Sequence, residues 1–263
     1  MKDVVITGAF GGMGRKAAER LASLGYRVFA IDKKCGEPCD GIVPIEADIT
    51  SEEAVASIVD RVREYTDSVH AVIHFAGIYM LDSLVEMGAS DFKRINDVNL
   101  YGAFLINRAF ISMMKAGGRI IITTSELAVL DPLPFTGIYA VTKAALDKYA
   151  YSLRMELQLL GIHVSVIRAG AVSTDMLGVS TSALDRFVEE TKLYTCNAKR
   201  FKGIVDRVEA RSVSTEKLAK KVTRVLTKRR PAFAYSINRN PLLLLLNALP
   251  KRLQLFIIRL ILR

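Results

Sequence analysis

The sequence predicts one α/β domain built on a doubly wound parallel β-sheet of about seven strands, with helices on both faces of the sheet. The chain has 263 residues, of which 51% are hydrophobic and 24% charged, so it can bury a large core. Short apolar runs alternate along it with longer amphipathic stretches. Strict alternation of these two patterns is typical of a sheet wound on both faces by helices.

Each predicted strand is a short run rich in Val and Ile. Parallel strands are covered on both faces, so they lack the polar alternation of half-exposed strands. Six runs fit this description: Asp3 to Thr7, Arg27 to Ile31, Ile42 to Ala47, Ser68 to Phe75, Arg119 to Thr124 and His163 to Arg168. A seventh strand is expected at Phe233 to Ser236.

The predicted helices are the amphipathic stretches between these strands. They cover Met13 to Leu24, Ser51 to Tyr65, Asp91 to Lys115, Thr136 to Leu160 and Glu216 to Leu226. Thr50, with Glu53 three residues later, has the pattern of a capping box, and Ser214-Thr215 is a capping pair for the last helix.

The predicted domain covers residues 1–238, and residues 239–263 form a basic amphipathic helical extension. The net charge of +10 is concentrated at the C-terminal end, because residues 217–263 hold five Lys, seven Arg and no acidic residue. A basic segment rich in Leu and Ile favours an anionic membrane surface or a subunit contact as its partner, and argues against nucleic acid.

The cysteines and the N-terminus indicate a reducing, cytoplasmic location. Three cysteines, Cys35, Cys39 and Cys196, cannot all pair, and the apolar run at Val4 to Ile6 is too short for a secretory signal. Cys35 and Cys39 lack the further ligands that a zinc site requires, so we expect no metal.

The first candidate binding element is the loop Thr7-Gly8-Ala9-Phe10-Gly11-Gly12-Met13-Gly14, between the first strand and the first helix. Glycines allow a sharp turn and a close approach to a pyrophosphate, which the N-terminus of the helix attracts. Asp32 ends the second strand, where a carboxylate can accept hydrogen bonds from both ribose hydroxyls of an adenosine and would repel a 2′-phosphate. Lys33 and Lys34 could offset that repulsion. Asp48 could bond the adenine or only cap the loop before Thr50.

The candidate catalytic pair is Tyr139 and Lys143, four residues apart at the start of a predicted helix and therefore on one face. A cation beside a phenol favours the phenolate, so we expect Lys143 to lower the pKa of Tyr139. Ser125 ends the fifth strand, where its hydroxyl could orient a substrate carbonyl. Asn99 lies inside a predicted helix, where Asn is unfavourable unless its amide bonds a neighbour or a water chain.

These motifs, together with Ala76-Gly77 and the loop from Gly170 to Thr174, resemble the short-chain dehydrogenase/reductase family, in its non-extended branch, over residues 1–235. The resemblance extends to hydroxysteroid and retinol dehydrogenases. It implies a Rossmann-like fold, a homodimer or homotetramer, and bound NAD, with NADP as the less favoured cofactor. The implied cofactor-binding residues are Thr7, Gly8, Phe10, Gly12, Met13, Gly14, Asp32, Lys33, Asp48, Ile49, Ala76, Gly77, Asn99, Tyr139, Lys143, Gly170, Val172 and Thr174.

The resemblance also implies roles in catalysis. Tyr139 would be the general acid/base, Ser125 would hold the reacting oxygen, Lys143 would bind the nicotinamide ribose, and Asn99 would support a water relay. Thr174 would contact the nicotinamide carboxamide.

Three departures from the family pattern stand out. His74-Phe75 replaces two asparagines before Ala76-Gly77, and His74 is expected to be a hydrogen-bonded strand residue rather than a catalytic one. Ala169 replaces a proline. Ser125 precedes Tyr139 by 14 positions, one more than is usual, so Thr124 is the alternative for the serine role.

The expected substrate is a bulky hydrophobic secondary alcohol or ketone, hydroxysteroid or bile-acid-like first and retinoid second. Apolar residues in the expected substrate lid, residues 175–212, and in the loop Val129 to Phe135 would form a hydrophobic wall or would only pack. The lid residues concerned are Met176, Leu177, Val179, Leu184, Phe187, Val188, Leu193 and Phe201.

The extension contains the Leu run after Pro241 and the segment Leu253 to Leu262, neither long enough to span a bilayer. In a helix from Leu253 onward, Arg252, Arg259 and Arg263 share one face. This helix would lie on a membrane, or else cover the substrate pocket or pack on a subunit.

The sequence thus predicts an NAD(H)-dependent oxidoreductase. The alternatives are an NADPH-dependent carbonyl or retinoid reductase and a dinucleotide-binding protein without catalysis.

Overall fold

A computed structural model describes residues 1–174, 184–209 and 211–263, without the side chains of residues 207–209. Its centre is a seven-stranded sheet in which every neighbouring pair of strands is parallel. The strands are β1 (Lys2–Thr7), β2 (Tyr26–Asp32), β3 (Ile42–Glu46), β4 (Val69–His74), β5 (Met114–Ser125), β6 (His163–Ala169) and β9 (Ala234–Ile237). A separate two-stranded sheet pairs β7 (Val172–Ser173) with β8 (Val213–Ser214).

The order in the large sheet is β3-β2-β1-β4-β5-β6-β9. The chain therefore runs outward from β1 in one direction and, after crossing to β4, outward in the other. At such a reversal the loops after the two central strands diverge and leave a crevice at their carboxyl ends. The loops after β1 and β4 border this crevice. The predicted fold class is confirmed.

Helices cover both faces of the sheet. The α-helices of the described residues are α1 (Gly12–Ser23), α2 (Glu52–Arg63), α3 (Ala89–Asn96), α4 (Gly102–Phe110), α5 (Gly137–Leu157), α6 (184–190), α7 (Thr195–Glu209), α8 (Thr215–Thr227), α9 (Pro241–Asn247) and α10 (Lys251–Leu262). Apolar side chains of α1 and α8 pack on one face, around Leu21 and Val222. Those of α2, α4 and α5 pack on the other, around Ile58, Ile106 and Leu146. Burial of these two apolar layers holds the sheet rigid.

The prediction of one continuous α-helix from Asp91 to Lys115 is wrong, because the segment is interrupted by a π-helical turn and its α-helix ends at Phe110. A π-helical turn, Asp97–Tyr101, separates α3 from α4, and a short 3-10 turn, Ile111–Met113, follows Phe110. Met114 already belongs to β5, where it pairs with Val69. The hydrogen bonds of the sheet thus replace those of a helix in this segment.

The predicted cap at Thr50 is also wrong, by one residue. The N-cap of α2 is Ser51, whose Oγ accepts a hydrogen bond from the Ala54 nitrogen at 3.2 Å. The Thr50 hydroxyl instead donates to Asp48 Oδ1 at 2.7 Å. For α8 the predicted cap is confirmed, since Ser214 Oγ accepts from the Lys217 nitrogen.

The C-terminal helices α9 and α10 pack against the domain. Leu262 is buried in an apolar cluster with Ala198 and Phe201 of α7, and Leu243 of α9 is also buried. Among the residues that the structure describes, no helix combines the length and the hydrophobicity that crossing a bilayer requires.

Candidate active site

The loop after β1 packs tightly against the loop after β4. Gly8 has a φ of +66°, and a Cβ atom there would lie 2.5 Å from the Ala76 nitrogen. A Cβ on Gly14 would lie 2.0 Å from the Gly8 carbonyl oxygen. Only glycine fits both positions. The resulting cradle opens onto the N-terminus of α1, whose backbone N–H groups suit a phosphate, so the loop fits the pyrophosphate of a dinucleotide.

At the end of β2, two backbone donors hold the Asp32 carboxylate. The Phe10 nitrogen donates to Oδ2 at 2.9 Å, and the Lys33 nitrogen donates to Oδ1 at 2.8 Å. The ammonium of Lys33 turns away and pairs with Asp48 at 2.7 Å. The other oxygen of Asp48 accepts from the nitrogen and hydroxyl of Thr50. Asp48 therefore caps its loop and partly neutralises Lys33.

Asp48 is an anion at neutral pH. Partial burial raises the pKa of its carboxyl, but the hydrogen bonds from Lys33 and Thr50 together outweigh burial and hold that pKa below its ordinary value. Asp48 therefore carries the negative charge that pairs with Lys33 in this structure.

Tyr139 and Lys143 lie one turn apart on α5, with Lys143 Nζ 5.7 Å from the centre of the Tyr139 ring. Lys143 is buried, and its Nζ donates to the Thr123 carbonyl oxygen at 3.3 Å. The rings of Tyr79 and Tyr139 pack in a T-shaped arrangement, with their centres 4.6 Å apart. The predicted pair is thus brought together beside the end of β5.

Burial controls the protonation of this pair. It raises the pKa of Tyr139 to about 12, although a hydrogen bond with the Ser125 hydroxyl acts in the opposite direction. It lowers the pKa of Lys143 to about 8, because a buried ammonium loses its hydration. Burial therefore outweighs any effect of Lys143, and the pKa of Tyr139 is raised rather than lowered as expected. At neutral pH the phenol is protonated and Lys143 is mostly cationic.

Of the two hydroxyl candidates on β5, Ser125 is the one whose hydroxyl interacts with the Tyr139 hydroxyl and influences its pKa. Both Ser125 and Thr124 are buried and line the same pocket as Tyr139. The Thr124 hydroxyl, however, donates to Asp147 Oδ1 at 3.2 Å. Thr124 is committed to that contact, which favours Ser125 for the serine role.

Asn99 lies in the π-helical turn between α3 and α4, a distortion that often occurs at functional sites. Its Oδ1 accepts from the Ile78 nitrogen at 2.7 Å, and its Nδ2 donates to the Ile78 carbonyl and to Thr142 Oγ1, each at 3.0 Å. The expectation that its amide bonds a neighbour is confirmed. A Cβ on Gly77 would lie 3.2 Å from Asn99 Oδ1 and 3.3 Å from Lys143 Nζ. The loop after β4 thus meets Asn99 and Lys143 at one point.

The loop after β6 closes the other side of the crevice. A Cβ on Gly12 would lie 2.9 Å from the Thr174 side chain, so Thr174 lies directly over the glycine-rich loop. Val172 and Met13 line the pocket of Tyr139. A Cβ on Gly170 would lie 1.9 Å from the Asn238 carbonyl oxygen. The close approach at Gly170 is therefore to the chain after β9.

Two predicted cofactor residues have side chains that pack against the domain. Ile49 is buried, and its Cδ1 would lie 2.7 Å from a Cβ on Gly102 of α4. The ring of Phe10 is half-buried and would lie 3.0 Å from a Cβ on Gly36. Any contact of Ile49 with a cofactor would be made by its backbone.

His74, predicted to be a strand residue, is the centre of a buried hydrogen-bond chain. Its Nδ1 lies 3.4 Å from Thr7 Oγ1, and its Nε2 lies 2.9 Å from Asn107 Oδ1. Asn107 Nδ2 donates to the Tyr149 hydroxyl at 3.3 Å. A neutral imidazole with its proton on Nε2 satisfies both neighbours. The chain joins β1, β4, α4 and α5, so His74 ties these elements together.

The pocket above Tyr139 is mainly apolar. Leu127 and Leu133 from the loop after β5, Phe201 and Ile204 from α7, and Leu243 from α9 line it. The C-terminal extension thus contributes Leu243 to the pocket wall, whereas the helix from Leu253 onward, for which covering the pocket was one of the alternatives, does not line it.

The expected lid residues are largely packing residues. Leu184, Phe187, Val188 and Phe201 form an apolar cluster with Phe135, and only Phe201 among them also lines the pocket. Leu193 is exposed. Met176, Leu177 and Val179 lie outside the residues that the structure describes.

Glu126 and Asn240 also line the pocket, although neither belongs to the motifs that predicted the site. Glu126 is buried, and its Oε2 accepts from the Asn240 nitrogen at 2.8 Å. Burial raises the pKa of this carboxyl. A charged residue directly after Ser125, at the carboxyl end of a buried strand, is a signal that could have indicated Glu126. No local signal indicates Asn240, because a distant segment brings it there.

Comparisons with known proteins agree with this geometry. The model of the family described as short chain dehydrogenase matches residues 2–185. Over 204 residues, the chain is 30% identical to the NADPH-dependent 1-acyldihydroxyacetone phosphate reductase of Schizosaccharomyces pombe, covering 73% of this chain and 68% of that one. Over 194 residues, it is 28% identical to the estradiol 17-beta-dehydrogenase 2 of Mus musculus, covering 67% of this chain and 50% of that one.

A solved structure agrees at the level of the fold. The crystal structure of a short chain dehydrogenase family protein from Francisella tularensis has a TM-score of 0.75 and 19% identity, covering 90% of this chain and 97% of that one. The family model spans the glycine-rich loop, Asn99, Ser125 and the Tyr139 and Lys143 pair. The chain therefore belongs to the short-chain dehydrogenase family and is an oxidoreductase.

Proposed function

We propose that the protein interconverts a secondary alcohol and a ketone on a bulky hydrophobic substrate, with Tyr139 exchanging the proton. The observation that carries the proposal is that Tyr139 and Ser125 line one apolar pocket while Lys143 lies buried beside the Tyr139 ring. A bound nicotinamide dinucleotide would supply or accept the hydride. The glycine-rich loop and the Asp32 carboxylate would hold that dinucleotide.

In the reductive direction, Tyr139 is the proton donor. Its phenol is protonated at neutral pH, because burial keeps its pKa near 12. The Ser125 hydroxyl would donate to the substrate carbonyl oxygen and hold it at the Tyr139 hydroxyl. The Lys143 ammonium stabilises the phenolate that remains after proton transfer. Asn99 holds the loop at Ile78, and it would support the water relay that the family pattern implies.

We propose NAD(H) as the preferred cofactor. A 2′-phosphate would face the fixed Asp32 carboxylate, and the ion pair with Asp48 reduces the compensation that Lys33 could offer. The alternative is NADPH, which the name of the S. pombe relative includes. Fluorescence titration of the purified chain with NADH and NADPH separates these. We expect tighter binding of NADH, and tighter binding of NADPH would overturn this preference.

The proposed substrates are hydroxysteroids or bile-acid-like molecules first and retinoids second. The apolar pocket lining suits a large ring or chain, and a relative named estradiol 17-beta-dehydrogenase supports the steroid class. The test is a turnover panel of ketosteroids, hydroxysteroids, retinoids, 1-acyldihydroxyacetone phosphate and small polar alcohols, followed by nicotinamide absorbance. Turnover of the small polar alcohols alone would contradict the proposal.

We also propose a homodimer or homotetramer formed through α4 and α5. These helices leave Phe104, Val141, Tyr151 and Met155 exposed to solvent, although single exposed apolar residues are common on monomers. Sedimentation velocity tests this proposal, and a monomer at micromolar concentration would contradict it.

A further inference from the structure

We propose that α9 and α10 form a surface that binds anionic lipid bilayers next to the active-site pocket. The outward side of these two helices, here called the tail surface, consists of Leu242, Leu245, Leu253, Phe256 and Leu260 with Arg252, Arg259 and Arg263.

The orientation of the tail surface is fixed by contacts of its opposite side with the domain. The Asp131 nitrogen donates to Asn247 Oδ1 at 2.6 Å, and Asn197 Nδ2 donates to the Leu262 carbonyl oxygen at 2.6 Å. Lys251 forms an ion pair with Asp131. These contacts hold α10 at both ends and α9 at its C-terminal end, and so fix which side of the two helices faces outward in this structure.

The exposed side of α10 is unusually apolar for a helix surrounded by water. Its one uncharged polar residue, Gln254, is only 4% exposed, and its Nε2 donates to the Leu249 carbonyl oxygen at 2.8 Å. Phe256 and Leu260, by contrast, are 61% and 69% exposed. Leu253, Phe256 and Leu260 follow a spacing of three and four residues and so form one stripe. An apolar stripe turned away from the protein indicates a partner.

The charge of the tail surface selects the partner. Arg252, Arg259 and Arg263 are exposed and lie on one side of α10, next to the apolar stripe. None of the three forms an ion pair with any residue in the described ranges. Cations beside exposed Phe and Leu are typical of helices that lie in the interface of an anionic membrane.

The same charge argues against a second copy of the chain as the occupant. Residues 217–263 contain seven Arg and five Lys but no Asp or Glu. A symmetric contact would bring this surface against itself and place like charges together. An anionic bilayer provides negative headgroups for the three Arg side chains and an apolar interior for the exposed Leu and Phe side chains.

The tail surface adjoins the active site. Leu243 of α9 lines the pocket of Tyr139, while the preceding Leu242 is exposed and lines a second cleft. Glu126 and Asn240 line both cavities, so these two cavities are neighbours. A hydrophobic substrate dissolved in the membrane would therefore lie close to the pocket. This consequence rests on the proposed function, whereas binding to membranes does not.

The test is co-sedimentation of the 263-residue chain with phosphatidylcholine vesicles, with and without phosphatidylserine. We expect binding that requires phosphatidylserine and weakens at high salt. Replacing Arg252, Arg259 and Arg263 with Gln should weaken binding by about a hundredfold, since each surface cation contributes about 1 kcal/mol. Replacing Leu253, Phe256 and Leu260 with Ser should weaken it about tenfold or more.

A charge-matched control replaces Lys217, Arg224 and Arg229 with Gln, because these exposed cations lie outside α9 and α10. It should change vesicle affinity by less than about threefold. All substituted residues are exposed. Circular dichroism of each variant serves as the control for folding. Equal losses in the control and the α10 variants would overturn the proposal, as would absence of vesicle binding. Sedimentation velocity would also overturn the proposal if the wild type formed a dimer that the Ser variant lost while the Ser variant still bound vesicles. That result would assign the tail surface to a contact with a second copy of the chain.

Discussion

His74 makes the folded state sensitive to mildly acidic pH. The imidazole is buried between β1 and α4, where it accepts a hydrogen bond from Thr7 and donates one to Asn107. Burial lowers its pKa from 6.5 to about 4, although the contact with Asn107 acts in the opposite direction. Below pH 6.5 the unfolded chain therefore binds a proton at His74 that the folded chain does not accept.

The size of the effect follows from this difference in pKa. Each unit is equivalent to about 1.4 kcal/mol, so protonation of His74 destabilises the fold by about 3 kcal/mol once the pH is below about 4. The loss begins as the pH falls through the unfolded value of 6.5. At about pH 5 it should amount to roughly 2 kcal/mol, which is a large part of the stability of a domain.

The assay compares the wild type with His74→Asn in urea, following unfolding by circular dichroism between about pH 7.5 and about pH 5. Asn can keep hydrogen bonds in the strand but cannot titrate. The stability of the wild type should fall by roughly 2 kcal/mol more than that of the variant. His70, whose pKa burial also lowers, is present in both proteins and cancels. Equal losses in the two proteins would show that protonation of His74 does not destabilise the fold.

Three further substitutions, one of them with a matched control, test contacts in and around the site. Gly14→Ala should lower the thermal unfolding temperature, because its Cβ would lie 2.0 Å from the Gly8 carbonyl oxygen. The matched control Gly11→Ala, whose Cβ would lie 3.5 Å from that oxygen, should leave the unfolding temperature unchanged. Equal shifts in the two variants would show that crowding at Gly14 has no effect on stability. Asn99→Ala should cost roughly 2–4 kcal/mol in urea unfolding, since both backbone groups of Ile78 lose their partner, and a loss below about 1 kcal/mol would contradict this. Asp147→Asn should cost about 3 kcal/mol, because Arg168 donates to both oxygens of that carboxylate, and an unchanged urea midpoint would show that the pair contributes little.

Short-range patterns predicted the sheet well. The runs from Asp3 to Thr7 and from His163 to Arg168 correspond to β1 and β6 within one residue at each end. Both strands have a hydrogen-bonded neighbour on each side and are covered on two faces, so a continuous apolar run is the direct sign of their environment. The pairing of Tyr139 with Lys143 was predictable for a similar reason, because four residues on a helix define one face.

Long-range contacts were not predictable in this way. The pKa of Tyr139 depends on how many distant segments bury it, and the sequence suggested the effect of Lys143 but not the larger effect of burial. The position of Leu243 in the pocket depends on the docking of α9 beside the loop after β5. The contact between Arg168 and Asp147 likewise joins β6 to α5 across 21 positions of sequence, a distance at which spacing gives no information.

In the proposed reaction, the Tyr139 hydroxyl transfers the proton and the Lys143 ammonium stabilises the phenolate that forms. Tyr139→Phe removes one oxygen and leaves the ring to pack against Tyr79. The most direct measurement is kcat of this variant on the best substrate of the panel, together with its Kd for the dinucleotide by fluorescence titration. We predict that kcat falls by a factor of about 100 to 10,000, the usual contribution of a general acid, while Kd changes less than about threefold. A variant that keeps kcat within a few-fold of the wild type would contradict the claim and indicate a dinucleotide-binding protein whose tyrosine has no part in chemistry.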